Sequence, residues 1–539
     1  MERRNSLILA AILTGLIVVL GGAALLQGAV LLTKHEGDAI HMSEIVLRMA
    51  DGQVPHLDFM TPIGGLAAAP FAMFVMAGFG IGLSIIFSQI LVAVILAPMA
   101  WRVGTSRFGF WPAVLFAGSI VVLALAMIDG GSSEGLSISM HYNRWAWAIS
   151  FIALGLAVFE PRKAAPTLDG IVIGLCAAAL VLIKATYAAV LIPILILALL
   201  MRQDWRALAV AFVAGLVVAA GVTLWLGPEY WMAYAGDLLT VAQSEIRSAP
   251  GKSFVGVLTA PPYRAGTLAA LAAVIILRQS GREREGLLLL LLLPAFAYIT
   301  YQNFGNDPQW LLFVAVLLLA ALPDNSVENG VGWNMRMATV ATSAFVIASI
   351  APSYINMAYS PIAMVGIDAE EDYTPLLLSQ KRHNDLLLAR TRQFRSEVIV
   401  ALDEPGGPLA TLADPDLLPD DTSFQGETFP SCGIRFGVAI LMLQITTSLE
   451  DAGFAQKKIF VADLQSFPWL FGDFGRLKNG SPWYYGGLPG WDDADYLLVP
   501  FCYMSLQMRR EVLETLEETL EEPLEEVMRT ELFVLYAAP

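Results

Sequence analysis

The chain has 539 residues, 56% of them hydrophobic and only 15% charged, with a formal net charge of −16 and a mean hydropathy of +0.63. That composition excludes an ordinary soluble globular protein. Repeated apolar runs of about 20 residues indicate a polytopic α-helical membrane protein instead, and the lack of a basic stripe argues against a nucleic-acid partner.

In chain order, the first apolar run, 6–32, is too long for a signal-peptide core and reads as a retained anchor. Arg3 and Arg4 before it favour a cytoplasmic N-terminus. A polar stretch follows at 33–62, with Glu36, Asp38, Glu44, Asp51 and Asp58 beside His35, His41 and His56. Residues 63–79 are apolar but short and read as an interfacial or re-entrant helix. Spans are then expected at about 83–101, 110–128, 143–159, 168–183, 186–201, 207–226, 265–278, 286–300, 309–322 and 337–354. This count of about eleven places every arginine-rich short loop on the cytoplasmic side, as the positive-inside rule prefers. Counting 63–79 as a full span would invert them all. The external segments are then 33–62, 129–142, a turn near Lys184, 227–264, 301–308 and everything from 355.

The boundary at 354/355 separates an apolar transmembrane part from an acidic soluble part, since more than half of the acidic residues follow Ile355. The soluble part reads as an extracytoplasmic α/β domain. Strands are expected at 397–402, 458–463, 495–500 and 532–536, with helices at 374–394, 434–451 and 504–520. The run 511–526 (EVLETLEETLEEPLEE) reads as a solvated helix face broken at Pro523. Three cysteines exclude a disulfide scaffold. Cys176 sits in an apolar run, whereas Cys432 and Cys502 lie in the soluble part and could pair if that part is in an oxidising compartment. The aromatic loop 467–491 carries Trp469, Trp483, Tyr484, Tyr485 and Trp491 among glycines and prolines. It fits either the seam between two domains or a sugar-stacking surface.

Chemistry is concentrated in the external segments. Asp38 opens a short amphipathic stretch that ends at Asp51 and Gly52, so it is either an N-cap or a reactive carboxylate. Residues 36–38 (EGD), the helix through Arg48, residues 52–59 (GQVPHLDF) and residues 62–66 (PIGGL) together resemble the first external loop of the GT-C superfamily of integral membrane glycosyltransferases. The protein O-mannosyltransferases and the lipid A aminoarabinose transferases are members. The sequence has Gly37 between its acids rather than adjacent acids, and His56 where Tyr is usual. The resemblance implies a GT-C-like fold, a polyprenyl-phosphate-sugar donor, inverting transfer at the outer face of a bacterial inner membrane, and a lipid, glycan or protein acceptor.

Such transfer needs a base for the acceptor proton. Asp38 is the first candidate, Glu36 the next, and Asp58 a supporting acid. It also needs cationic or polar groups for the leaving phosphate. Candidates are Lys184, Arg144, Arg247 and Arg264 at span edges, where snorkelling is the alternative role. Tyr142 and Asn143 lie beside Arg144 in 141–147 (HYNRWAW). Asn303, Asn306 and Asp307 occupy a polar turn that suits either a sugar or a helix cap. The histidines lack zinc-site spacing, although His35, His41 and His56 could join acids around a divalent metal. No P-loop or dinucleotide motif supports a nucleotide donor. Two other classes remain: a transporter or flippase of a lipid-linked or glycan substrate, gated by the same loop, and a non-enzymatic envelope assembly protein. The span centres are almost purely apolar and no repeat is visible, which disfavours a transporter.

Overall fold

The computed structural model describes residues 2–131, 135–244, 253–259, 261–303, 307–400, 402–403, 408–412, 414 and 422–539. Asn306 and Arg247 lie outside these residues. The apolar half is helical throughout. It begins with α1 (Arg3–Gln27), α2 (Glu36–Ala50), α3 (Ala69–Met76), α4 (Ile81–Arg107) and α5 (Phe110–Leu125). Next come α6 (His141–Val158), α7 (Pro166–Ile183), α8 (Ala185–Met201), α9 (Trp205–Leu226) and α10 (Glu229–Gln243). The series closes with α11 (Phe254–Thr259), α12 (Pro261–Gln279), α13 (Glu283–Gln302), α14 (Leu311–Ala320) and α15 (Met335–Ala363).

Six of these helices, α1, α4, α7, α9, α13 and α15, are long and apolar enough to cross a membrane. The other expected spans also fall on helices, but α5, α8 and α14 are short. With 10 residues, α14 rises about 15 Å, against a hydrocarbon core of about 30 Å. Among the described residues six helices are thus both long and apolar enough to cross a membrane, against the eleven spans expected. Segment 63–79 does hold a short element: α3 has 8 residues, about 12 Å long and unable to span.

The first expected span is too long at its C-terminal end. Gly28 adopts a left-handed conformation (φ 68°) and closes α1, and the apolar residues beyond it form strand β1 (Val30–Leu32). A short apolar run looks the same in a helix and in a buried strand. What decides here is the partner: β1 pairs in parallel with β3 (Leu386–Ala389), more than 350 positions away. β2 (Tyr373–Pro375) pairs antiparallel on the other side of β3. This sheet corrects the helix expected over 374–394, which contains only the short α17 (Arg390–Gln393) after α16 (Ala369–Asp372).

The remaining strands are β4 (Glu397–Val400), β5 (Thr422–Phe424), β6 (Glu427–Phe429), β7 (Cys432–Phe436), β8 (Ile459–Val461), β9 (Tyr496–Pro500), β10 (Cys502–Tyr503), β11 (Glu526–Arg529) and β12 (Phe533–Ala537). They form sheets in the orders β10-β7-β4, β11-β12-β9-β8 and β5-β6. β4, β8, β9 and β12 fall where alternation and β-branching place them. So do α20 (Leu506–Thr519) and, from Val438 on, α18 (Val438–Asp451), whose expected first residues 434–436 belong to β7 instead; the four-residue α19 (Pro468–Phe471) lies between the two helices. The acidic helix stops at Thr519, before Pro523, and Glu526 already belongs to β11. Cys432 and Cys502 form a disulfide across the β7–β10 pair, with Cα atoms 4.5 Å apart.

Burial shows how the two halves join. One hydrophobic cluster runs through the bundle, with Trp147, Phe151, Phe296 and Phe313 at its centre. A second contains Ile40, Val46 and Phe59 of the first polar stretch, Phe71 of α3, and Leu386, Trp469, Leu498 and Phe533 of the C-terminal half. The C-terminal half thus shares its core with residues 30–75, and α15 runs through the expected 354 boundary to Ala363.

The helix ends sort into two groups. At one end Arg102 and Arg107 of α4 pair with Asp169 of α7, at 2.9 and 2.7 Å. Arg202 donates to the carbonyls of Leu156 and Ala157, and Arg284 pairs with Glu160. The opposite end carries the polar groups that follow.

Candidate functional site

Asp38 sits in the first turn of α2. His35 precedes that helix with a left-handed backbone and supplies no side-chain cap, so Asp38 is not the N-cap. Its carboxylate accepts a short hydrogen bond from Ser139 Oγ. Ser139 lies just before α6, and its carbonyl accepts from Arg144 at 3.2 Å. The backbone here is strained: His35, His56 and Met140 are non-glycine residues at positive φ. Such residues cost about 1–3 kcal/mol each and concentrate at functional sites. His35 Nδ1 contacts Ser137 Oγ at 3.2 Å, and Lys34 pairs with Asp129 at 3.1 Å. The Asp38 turn is therefore seated on the 129–141 segment.

Three expected site residues are engaged in holding the fold. Glu36 is 4% exposed and takes a bidentate pair from Arg392 at 2.8–3.0 Å. Asp58 accepts from the Val54 amide at 2.7 Å and closes its own turn. Arg144 is fully buried, and its guanidinium donates to the carbonyls of Ala126, Ile128 and Ser139. The Ala126 and Ile128 carbonyls lie just beyond the end of α5, which lacks helical donors for them, and that of Ser139 lies just before α6. Arg144 thus ties α5 to α6. Arg264 is exposed on α12, and Asp307 accepts a short hydrogen bond from Ser353 Oγ.

Four others converge. Lys184 alone separates α7 from α8, and its extended backbone (φ −156°, ψ 106°) ends one helix and starts the next. Its ammonium donates to Asn143 Oδ1 at 3.1 Å and, by a shorter bond, to Asn303 Oδ1. It also lies 5.0 Å from the centroid of the Tyr142 ring, in cation–π range. Asn303 Nδ2 donates to the Tyr187 hydroxyl at 3.1 Å. Lys184, Tyr142, Asn143 and Asn303, drawn from α6, α13 and the α7–α8 junction, thus form one cluster. Asn143 lies in the first turn of α6, the helix whose entry holds Asp38 through Ser139. The Gly64 amide bonds the Ile183 carbonyl at 3.0 Å. A Cβ on Gly64 would collide with the Leu182 carbonyl, so a side chain there would push the loop off this junction.

Sequence reading missed Asp237. It lies on α10, 181 positions from His56, and accepts from His56 Nδ1 at 2.8 Å and from the Thr61 amide at 3.1 Å. The His56 ring stacks on Tyr234 at 4.3 Å, and the Tyr234 hydroxyl donates to the Val181 carbonyl at 2.8 Å. No local signal marks Asp237; α10 shows only an amphipathic pattern. The three histidines go to separate partners, His35 to Ser137, His56 to Asp237 and His41 against Trp483 at 5.0 Å. Among the described residues no group of three or more His, Cys, Asp or Glu side chains is arranged to hold a metal.

The aromatic loop fills the seam between the halves. Trp469 lies under Arg476, whose guanidinium is 4.0 Å from its ring centroid, and donates to Glu44 at 3.3 Å. Glu44 is fully buried; burial pushes its carboxyl up, and Arg48 beside it only partly offsets that. Tyr484 and Trp491 enter the core of the C-terminal half. Two apolar cavities flank α7. One of about 420 Å³ is lined by Ile173, Ala177, Val181, Leu199, Phe212 and Trp231, among others. The other, of about 250 Å³, includes Leu66, Trp145, Cys176 and Ile183. No protein family, no curated protein and no solved structure matches the chain.

Proposed function

We propose that this chain is a membrane glycosyltransferase that moves a sugar from a polyprenyl-phosphate donor to an acceptor at the outer face, with Asp38 as general base. The observation that carries this reading is the convergence of Lys184, Asn143, Asn303 and Tyr142 on the helix terminus that also seats Asp38. An ammonium held by two amide oxygens can exchange one of them for a phosphate oxygen without first breaking those ion pairs that hold the opposite end together. The apolar cavities along α7 are lined up to Leu182 and Ile183, the residues just before Lys184, and suit an isoprenoid chain. Asp38 then takes the proton of the acceptor hydroxyl as that oxygen attacks the sugar carbon, and the phosphate leaves with the bonding electron pair.

Orientation follows in the same reading. A disulfide belongs in an oxidising compartment, and Cys432–Cys502 lies in the half that packs on the Asp38 end. The arginine-rich opposite end fits the cytoplasmic side. The test is transfer activity in membranes supplied with radiolabelled polyprenyl-phosphate sugars, comparing wild type with Asp38→Asn. Removal of the base is expected to lower the rate about 10²–10⁴-fold. Unchanged turnover in Asp38→Asn would move the base elsewhere. Absence of turnover with every donor, in folded protein, would favour transport or assembly.

A further inference from the structure

The two cavities beside α7 lie on opposite faces of that helix. Ile173, Ala177 and Val181 line the larger, whereas Leu175, Cys176 and Ala179 line the smaller. At 3.6 residues per turn these sets are about half a turn apart, and no residue lines both cavities. Each opens on the outside of the bundle, the larger past exposed Phe212 and the smaller past exposed Ile95. A hydrocarbon tail can enter either one sideways from the bilayer, and α7 separates a tail in one from a tail in the other. Toward Lys184 the linings reach Leu182 and Ile183, neighbours in the chain, so two tails would bring their headgroups to the same end of α7.

The other walls differ. The larger cavity is completed by α8, α9 and Trp231 of α10, so it lies on the two helices that Lys184 joins. The smaller is walled by α4 and by Trp145 and Ile149 of α6, the helix whose entry seats Asp38 through Ser139. Trp145 also belongs to the hydrophobic cluster that contains Ile40 and Val46 of α2, the helix carrying Asp38. One cavity is thus built on the helices of the cation and the other on the helix that seats the base.

We propose that the cavities take two different lipids, the larger the isoprenoid chain of the donor and the smaller the hydrocarbon tail of the acceptor. The acceptor is then a hydroxyl on a lipid headgroup, not on a protein or a free glycan. This rests on the glycosyltransferase reading. The headgroup hydroxyl gives its proton to Asp38 while its oxygen bonds the sugar carbon. That carbon's bond to the phosphate oxygen breaks, with its electron pair staying on the phosphate.

The test photolabels the full-length protein in phosphatidylcholine vesicles with a polyprenyl phosphate and a monoacyl glycolipid, each carrying a diazirine in its tail. The first should label 192–219, and the second 91–99 and 145–149. Ala178 lines the larger cavity and Ala179 the smaller. Ala178→Phe should cut polyprenyl labelling about tenfold and keep the glycolipid pattern, and Ala179→Phe should do the reverse. Leucine at the same positions replaces phenylalanine if either variant fails to fold. Displacement of the glycolipid from 91–99 by excess unlabelled polyprenyl phosphate would overturn the proposal, since one kind of chain would then fill both cavities. So would labelling that is unaltered in both folded variants, or wild-type transfer to a threonine peptide in preference to the glycolipid. Labelling reads occupancy without transfer. The expected pattern with no turnover from any donor would therefore overturn the acceptor role together with the glycosyltransferase reading, and leave two separate lipid sites.

Discussion

At one end of the bundle, Asp169 lies between Arg102 and Arg107, and Arg284 meets Glu160. At the other, Lys184 is held by the amide oxygens of Asn143 and Asn303 over the Tyr142 ring. Both ends place charge against apolar helices. The first neutralises it with opposite charge, which locks α4 to α7 and leaves little for a ligand to gain. The contacts of the second include two neutral amide oxygens, which a ligand oxygen can replace one at a time. The Asp169 ion pairs thus serve assembly at one end, whereas the amide contacts of Lys184 at the other are ones a ligand can exchange.

The two ends should respond differently to mutation. Asp169→Asn should lower stability by about 3–5 kcal/mol, because it leaves buried Arg107 without its charge partner. Thermal unfolding in detergent checks this, and an unshifted midpoint would break the contrast. Lys184→Met should do the converse: stability changes little, while donor KM rises about 10- to 100-fold, the worth of one charge-assisted hydrogen bond. A destabilised Lys184→Met protein with normal donor KM would make Lys184 a structural anchor instead.

On the site end, Asp463 gives a pH-dependent term. It is buried, and burial pushes its carboxyl up to about 6, against hydrogen bonds from the Met504, Leu464 and Ser505 amides that pull it down. A carboxyl that holds its proton more tightly when folded favours the folded state at low pH. Its contribution is full below the unfolded value near 3.8 and is lost as pH rises through about 6, to a total of at most roughly 3 kcal/mol. Stability measured from pH 4 to 7 should therefore slope less steeply in Asp463→Asn than in wild type; parallel curves would refute the assignment. The smallest effect is expected for Asp237→Asn, which keeps an acceptor for His56 Nδ1 but removes its charge. About 1 kcal/mol, or a few degrees in Tm, should separate it from wild type.

Much of the helical half is legible in the apolar runs, because burial in lipid and burial in a bundle both demand long apolar stretches. The spans at 83–101 and 337–354 lie inside α4 and α15. The 309–322 run failed as a full span because only ten of its residues are helical. In the C-terminal half, β8 and β9 follow from their β-branched, apolar composition. The helix expected over 374–394 did not form because its leucines pair with β1 instead. Of the site, Lys184, Tyr142, Asn143 and Asn303 were legible as polar residues at span edges. Arg144 was legible only as a charge at a span edge; its burial and its backbone partners were not.

The sequence by itself determined that this is a membrane protein, where its polar chemistry lies, and which residue types are available there. Those properties are local: they depend on runs and spacings within about 20 residues. Tertiary structure alone decided the partners. It brought Arg392 to Glu36, Gln465 to Gly37 and Asp237 to His56 across 356, 428 and 181 positions. A side chain's role is set by what lies within about 3 Å of it, and the order of residues along the chain does not fix that distance.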